Sequence, residues 1–202
     1  SELRAWRINE VLDTMHGATV EDMCRLQNDE HSVLARKITP YLLSIITANG
    51  VEDEYSIKLK GWNYNYDANR EAATVFQVWW SLLYSSIWKQ KLGAYPNALY
   101  PLPERTMQLI LNDKGKLGDV DKLVVSSYKK AVDSLGKLKQ NGGLEWHKVK
   151  NTTLTHLAKL KPMSVTDVQN GGWGNTVNAM KGNHGPSWRM VVEMKEVPEE
   201  IG

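Results

Sequence analysis

This sequence of 202 residues has one cysteine, one phenylalanine and a small net charge. Its one cysteine, Cys24, cannot form a disulfide within the chain. The formal charge of +2 is too small to indicate a nucleic acid or an anionic membrane as the partner. No apolar run approaches the roughly 20 residues that cross a bilayer, since the longest covers only residues 41–48. An internal disulfide framework and a membrane-spanning segment are therefore excluded for this sequence.

Tryptophan and tyrosine are plentiful, with eight of each against a single phenylalanine. Their rings bury large apolar areas, but each carries an N–H or O–H group that needs a partner when buried. The hydrophobic share of 42% and the charged share of 24% are ordinary for a folded protein. The length suffices for one substantial domain or two small ones. The core is expected to contain hydrogen-bonded polar groups of Trp and Tyr.

Both ends of the sequence are expected to be cut from a longer polypeptide. There is no initiator Met and no basic-then-apolar leader, and Ser1 leads almost directly into an amphipathic helix. An N-terminal Ser can act as a nucleophile with its own α-amino group as base. That chemistry needs a strand edge and preorganised oxyanion donors, which Glu2-Leu3-Arg4 does not suggest. An arbitrary cut is the favoured interpretation of Ser1.

Apolar residues recur at helical spacing over most of the first 140 residues. The pattern predicts six segments: 5–15; 20–38 behind a Thr19 capping box; 39–48, restarted by Thr39-Pro40; 67–91, capped by Asp67; 104–111; and 119–138, capped by Asp119. In the fourth segment the inward side chains are predicted to be Val75, Phe76, Trp79, Trp80, Leu83 and Ile87.

The remainder changes character, with a loop at residues 171–174 and strand-like runs at Thr176–Met180 and Ser187–Met194. The predicted fold class is α+β, mainly α-helical with a small β tail. The predicted division is a helical body at 1–140 and a loop-rich segment with short strands at 141–202.

Cys24 and His31 lie seven residues apart, which would place them on one face of the second predicted helix. Two helical turns separate them by roughly 10 Å, too far for a thiol and its base, so core packing is the favoured role of Cys24. None of the histidines has a partner at metal-ligand spacing, and they are expected to be structural; they are His16, His31, His147, His156 and His184.

Two further patterns have an ordinary explanation. The glycine-rich run 171–174 lacks the Lys-Ser/Thr ending of a phosphate-binding loop, and a tight turn is expected there. Arg4 and Arg7 stand next to Glu2 and Glu10, as solvated surface charges usually do.

Three groups of short stretches, taken together, indicate a function that none of these single patterns does. They are residues 4–12 (RAWRINEVL) with 19–23, 26–29 and 32–35; residues 59–63 (LKGWN) with 72–76 and Trp79; and residues 171–178 (GGWGNTVN) with 184–192 (HGPSWRMVV). In order and spacing they resemble the penicillin acylase family of N-terminal-nucleophile hydrolases, and they cover nearly the whole chain. The resemblance implies a fragment of the larger subunit of an αββα hydrolase.

In that family a Ser exposed by precursor cleavage attacks an amide carbonyl, with its α-amino group as base and an Asn among the oxyanion donors. The nucleophile and the oxyanion Asn lie upstream of the matched stretches, so the resemblance implies that this fragment is inactive alone. A glycine-rich G-Q-S-G-N segment is expected shortly after Gly202. Candidate substrates are aryl-acetyl amides such as penicillin G, N-acyl homoserine lactones and glutaryl cephalosporins.

One functional side chain is implied for this region. Arg4 aligns with an arginine that lies beside the family's active site and helps to orient the catalytic groups, a role that suits the rigid fork of a guanidinium. Arg7, one turn away, is the competing assignment if the register shifts by three residues. Trp79, Trp80 and Trp88 are expected in the core.

The resemblance also implies the partners, the cofactors and the location of the protein. The expected partners are the remainder of the acylase precursor, namely the small subunit and the catalytic sheets, and an N-acyl amide substrate, with no nucleic acid and no membrane. No cofactor is expected in this region, because the family's calcium ligands lie upstream, and the expected location is the periplasm. The alternatives are an autonomous helical binding module and a self-contained Ser1 enzyme.

Overall fold

The protein is mostly helical, as predicted. A computed structural model describes residues 2–93, 99–185, 188–194 and 199–201, the last three by their backbone only. The helices in this part of the chain are α1 (Glu2–Asp13), α2 (Val20–Gln27), α3 (Val33–Ala48), α4 (Glu54–Lys60), α5 (Glu71–Leu92), α6 (Pro103–Asn112), α7 (Val120–Gln140) and α8 (Trp146–Lys150). None of them is long and apolar enough to cross a membrane.

The small β tail is also confirmed. Strand β1 (Val191–Glu193) pairs antiparallel with β2 (Glu199–Ile201), and Val191 is opposite Ile201. Single-turn 3-10 helices cover Lys114–Leu117 and Lys161–Met163. The rest of the described chain after α8 is irregular, and hydrogen bonds from both backbone and side chains set its shape.

The chain forms two compact units. The first comprises residues 1–33, 65–69 and 146–202, and the second comprises residues 34–64 and 70–145. The predicted division of the sequence after residue 140 stays a prediction.

The second unit is built on the pair of long helices α5 and α7. Trp79 is fully buried on α5, and its indole N–H lies 3.3 Å from Val124 O and 3.2 Å from Ser127 Oγ on α7. The Tyr128 ring meets the Trp79 ring edge to face at 4.7 Å. The Trp79 indole N–H thus finds partners inside the core, as the tryptophan-rich composition predicts. All six side chains predicted to face inward from α5 are buried, and so is Trp88.

Several predicted helix boundaries are confirmed by their hydrogen bonds. The Thr19 side chain accepts from the Asp22 N–H while the Asp22 carboxylate accepts from the Thr19 N–H, which completes the capping box. The Asp119 carboxylate accepts from the Lys122 N–H at the start of α7. Gly50 follows the end of α3 with φ of 72°.

The predicted helix over residues 20–38 is wrong. Helix α2 ends at Gln27, and a short loop separates it from α3. Asp29 shapes this loop, because its carboxylate accepts from the His31 N–H at 2.9 Å. Cys24 and His31 therefore do not share a helix: Cys24 is a half-buried free thiol on α2, and His31 lies in the loop.

The predicted restart at Thr39-Pro40 is wrong as well, because Pro40 lies inside α3. Proline cannot donate the i→i−4 hydrogen bond, which normally interrupts a helix. Here Pro40 is exposed, while Ile38, Leu42 and Ile46 are fully buried. Burial of this apolar face offsets the cost of the missing hydrogen bond, so the helix continues.

Asp67 does not cap α5, contrary to the prediction. The N-cap position is Arg70, whose side chain makes no capping hydrogen bond. Helix α4 is absent from the predicted segments, although Asp53 opens it with a capping box that includes Ser56. The Asp53 carboxylate also accepts from the Tyr128 hydroxyl at 2.6 Å. This bond to α7 fixes a seven-residue helix that is too short to be stable on its own.

Replacing Pro40 by Ala is expected to raise the free energy of unfolding by about 1–3 kcal/mol, because alanine restores the missing donor at an exposed helix position. Urea denaturation checks this, with Thr47→Ala in the same helix as an exposed control. An unchanged or lower stability would mean that the backbone around residue 40 gains no hydrogen bond from the new N–H group.

Candidate functional site

The glycine-rich loop of the first unit is a turn pressed against a carboxylate. A Cβ atom on Gly171 would lie 2.1 Å from Glu30 Oε2, and one on Gly172 would lie 2.1 Å from Asn178 O. Gly172 also has φ of 75°, which disfavours any other residue. The expectation of a tight turn at residues 171–174 agrees with this geometry, and close approach explains both glycines.

Two side chains and one backbone carbonyl group hold this turn. The ammonium group of Lys150 donates to Gly171 O, and the indole N–H of Trp146 donates to Gly172 O at 2.9 Å. The Gly172 N–H donates to Tyr66 O at 2.8 Å. The Tyr66 and Trp146 rings meet edge to face at 4.9 Å. Lys150 is only 7% exposed, so it is one of the rare lysines that proteins bury.

Asn178 connects the turn to the neighbouring loop. Its amide N–H group donates to Glu30 Oε1 at 2.9 Å, and its backbone N–H donates to Asp29 O at 2.8 Å. The predicted strand at Thr176–Met180 is wrong, because Thr176 bonds locally instead. Its hydroxyl accepts from the Trp173 N–H and donates to the Asn178 carbonyl. Such side-chain bonds compete with a strand ladder and produce a folded loop.

Burial shifts the pKa values of two charged groups beside the turn. Burial raises the pKa of Glu30 above its ordinary value, and the hydrogen bond from Asn178 opposes this shift. Burial lowers the pKa of Lys150 from 10.5 to about 8, against the opposing effect of the Glu30 carboxylate. The two groups thus stabilise each other's charged forms in a poorly solvated place.

Arg7 forms an ion pair with the loop after α2. Its guanidinium donates to both carboxylate oxygens of Asp29, from Nε at 3.1 and 3.0 Å and from Nη2 at 2.6 Å. The pair is partly buried, and the forked geometry is the strong one for arginine and carboxylate. Arg7 thereby fixes α1 against residue 29, and its donors on that edge are used.

Arg4 faces a cavity of about 530 Å3, called here the basic cavity. Its wall is formed by residues of α1, the end of α2, the loop 174–185 and the segment before β1. The lining residues are Arg4, Gln27, Gly174, Val177, Ala179, Lys181, His184, Gly185, Trp188, Arg189 and Met190. Stretches that are some 170 residues apart in the sequence thus meet at one cavity.

Arg189 is the best-held of the cationic side chains around the basic cavity. Its guanidinium donates to Asn28 Oδ1 and to Asn178 Oδ1, and both acceptors are neutral amides. The Gln27 amide donates to Met190 O at 2.8 Å, which ties the end of α2 to the segment before β1. Asn178 therefore links the Gly171-Gly172 turn to the wall of the cavity.

A second, more polar cavity of about 540 Å3 shares Arg189 with the basic cavity. Glu30, Asn170 and Asn178 contribute its polar groups. Both amide atoms of Asn170 are buried without a hydrogen-bond partner in the described part of the chain. Asn178 belongs to the stretch 171–178 that resembles the family, whereas the sequence patterns did not indicate Glu30 or Lys150; the available signal for those two was the adjacent glycine pair.

The described histidines belong to no cluster of metal-ligating side chains. No group of three His, Cys, Asp or Glu side chains that could hold a metal ion occurs among residues 2–93, 99–185 and 188–194. His147 is buried, while His31 Nδ1 lies 3.1 Å from Asn65 Oδ1. Ser1, Pro186 and Ser187 lie outside the described residues, so the structure gives no position for them.

A comparison with protein families assigns the chain to a class of hydrolases. The family model described as penicillin amidase matches residues 1–201. The chain belongs to the penicillin amidase family, and the resemblance that the three groups of stretches indicated is confirmed. No curated protein matches it.

Replacing Gly171 by Ala is expected to lower the free energy of unfolding by about 1–3 kcal/mol, because the new methyl group displaces the Glu30 carboxylate. Urea denaturation checks this. Gly115→Ala is the matched control, since a Cβ there meets nothing within 4 Å. The loss should shrink when Glu30→Ala is combined with Gly171→Ala. Equal losses with and without the Glu30 side chain would contradict the contact.

The stability difference between the natural chain and Lys150→Met is expected to grow in favour of the natural chain as the pH rises above about 8. The unfolded lysine keeps its proton to about 10.5, whereas the folded one releases it near 8, so the unfolded state binds more protons in between. Denaturant midpoints measured from pH 7 to 10 for both proteins check this. A pH-independent difference would mean that the folded Lys150 keeps its ordinary pKa.

Proposed function

We propose that this chain frames the substrate cleft of a penicillin-acylase-type amidohydrolase and supplies Arg4 beside the reacting groups. The observation that carries the proposal is the convergence at the basic cavity. Arg4 comes from the first group of family-like stretches, and Gly174, His184 and Arg189 come from the third. Catalytic sites are commonly assembled in this way, from distant segments around one concave pocket.

The chemistry follows the family. A Ser Oγ in the preceding part of the protein attacks the amide carbonyl of an N-acyl substrate while its α-amino group takes the proton. The C–N bond then breaks, the amine leaves with a proton, and water hydrolyses the resulting acyl ester to release the acid. The role assigned to this chain is positioning, because the nucleophile and the oxyanion Asn belong to the preceding part. On this proposal the chain alone is inactive.

The contacts of the two arginines favour Arg4 over Arg7 for this role. The Arg7 guanidinium is occupied by the Asp29 carboxylate. Arg4 lies on the wall of the basic cavity and has no side-chain hydrogen bond or ion pair with any residue in 2–93, 99–185 or 188–194. Its five donors are therefore available to an acceptor that enters from outside this chain.

The proposal includes the partners, the metal and the location that the family implies. The partners are the small subunit and the catalytic sheets of the same precursor, and the structural calcium belongs to them rather than to this chain. The enzyme would act in the periplasm on an acylated antibiotic or a related N-acyl amide.

In the intact enzyme, Arg4→Lys is expected to lower kcat by about 10-fold or more, because an ammonium group cannot reproduce the planar fork. Steady-state hydrolysis of a phenylacetyl amide checks this, together with thermal unfolding to establish that the variant is folded. The 202-residue chain assayed alone serves as the inactive reference.

Two controls make the test specific. Arg25→Lys alters an exposed arginine outside the basic cavity and should leave kcat unchanged. Arg7→Lys should reduce stability by breaking the fork to Asp29. An unchanged kcat for Arg4→Lys removes Arg4 from the site. A loss of kcat confined to a stably folded Arg7→Lys variant transfers the role to Arg7. Hydrolysis by the chain alone that Ser1→Ala abolishes would identify a self-contained Ser1 enzyme.

A further inference from the structure

A hairpin in the first unit exposes several large apolar side chains. It comprises residues 154–165 and is called here the leucine hairpin. The Leu157 side chain at its turn is 100% exposed. Four more apolar side chains of the hairpin are 49–62% exposed, namely Leu154, Leu160, Met163 and Val165. Single exposed apolar residues are common on protein surfaces, but five within this short segment form a patch of the kind that marks an interaction site.

Hydrogen bonds hold the leucine hairpin in a defined shape. Leu154 and Val165 exchange both backbone hydrogen bonds at its open end, at 2.8 and 3.0 Å. At the turn, the Ala158 N–H donates to His156 Nδ1 at 3.2 Å, and the Lys159 N–H donates to His156 O at 2.7 Å. Lys159 has φ of 56°, a conformation that a lysine rarely adopts. The turn is therefore specified by its own hydrogen bonds, and it leaves the side chain at its tip in solvent.

The permanent charges of the leucine hairpin are all positive. Lys159 and Lys161 flank Leu160, and both lysines are exposed. Neither lysine makes an ion pair with the residues that the structure describes. The sequence has no acidic residue between Glu145 and Asp167. The formal charge of the whole chain, +2, does not indicate a membrane, yet here two cations and five apolar side chains belong to one hairpin.

This combination favours one kind of occupant over another. In a contact between two copies of the chain, the lysines of both hairpins would face each other, and like charges at an interface are unfavourable. A bilayer that contains anionic lipids suits both features. Apolar side chains enter the boundary between headgroups and acyl chains, while lysine ammonium groups stay at the level of the phosphates. A projecting turn also needs no matching groove on such a partner.

We propose that the leucine hairpin anchors the protein to the surface of a membrane that contains anionic lipids. Leu157 and Leu160 enter the headgroup boundary, and Lys159 and Lys161 bind the lipid phosphates. This binding is peripheral and needs no helix that crosses the membrane. It goes beyond the proposed hydrolysis and does not depend on it, because the leucine hairpin and the basic cavity share no lining residue.

Co-sedimentation with vesicles tests the proposal. The 202-residue chain is mixed with phosphatidylcholine vesicles that contain about 30% phosphatidylglycerol, and with vesicles of phosphatidylcholine alone. Binding to the anionic vesicles is expected to be at least about 10-fold tighter, since each lysine near an anionic surface contributes about 5-fold. Circular dichroism establishes that each variant described below is folded.

A first pair of double variants tests the apolar side chains. Leu157→Ser with Leu160→Ser should weaken binding to the anionic vesicles by at least about 10-fold, since burial of a single leucine contributes about that factor. Ile57→Ser with Leu102→Ser is the matched control. It removes two exposed apolar side chains of the second unit and should leave the binding unchanged.

A second pair tests the charges. Lys159→Gln with Lys161→Gln should abolish the preference for anionic vesicles. Lys130→Gln with Lys137→Gln lowers the net charge equally, by two, at exposed positions of α7, and should keep the preference. No binding to the anionic vesicles, equal binding to both kinds of vesicle, or equal losses in hairpin and control variants would each overturn the proposal.

The intact protein and the oligomeric state identify the other possible occupants. Binding of the intact protein to anionic vesicles, weakened by Leu157→Ser with Leu160→Ser, supports the proposal. An intact protein that does not bind, although the 202-residue chain does, overturns it and shows that the rest of the protein covers the hairpin. Self-association in analytical ultracentrifugation that the same double variant abolishes, without vesicle binding, overturns it in favour of a second copy.

Discussion

The contact between the Gly171 Cα and the Glu30 carboxylate is the constraint on which the first unit depends. Two glycines in succession allow a backbone turn to approach a carboxylate and the Asn178 carbonyl more closely than any side chain would permit. Lys150 and Trp146 can reach the turn's carbonyl oxygens only because the turn lies that deep. The irregular chain after α8 has few regular hydrogen bonds of its own, so these contacts supply its order.

Glu30 and Lys150 give this turn an ionic interior instead of an apolar one. A pair of this kind, with Lys150 buried and Glu30 partly so, adds little net stability compared with well-packed hydrophobic residues, because both charges lose hydration. Removal of either partner, however, leaves the other charge poorly solvated and without this compensation. The pair therefore destabilises alternative loop conformations more than it stabilises the native one. In the second unit, the bonds from Trp79 to Val124 and Ser127 meet the need for polar partners in a core rich in tryptophan.

Features that depend on neighbours in the sequence could be predicted, and features that depend on distant residues could not. The Thr19 and Asp119 caps follow from residues three positions apart, and the inward face of α5 follows from its period. The break between α2 and α3 depends on Asp29, whose partner Arg7 lies 22 residues away. Glu30 and Lys150 belong to no motif, so only the folded loop brings them together.

The same distinction applies to the basic cavity. Arg4, Gly174 and Arg189 belong to the stretches that resemble the family, and they set the frame of the basic cavity. Lys181 and Ala179 lie between those stretches, yet they line the same cavity. The stretches that resemble the family could therefore indicate the reaction class and one wall of the cavity, whereas the place of Lys181 in that wall follows only from the folded loop.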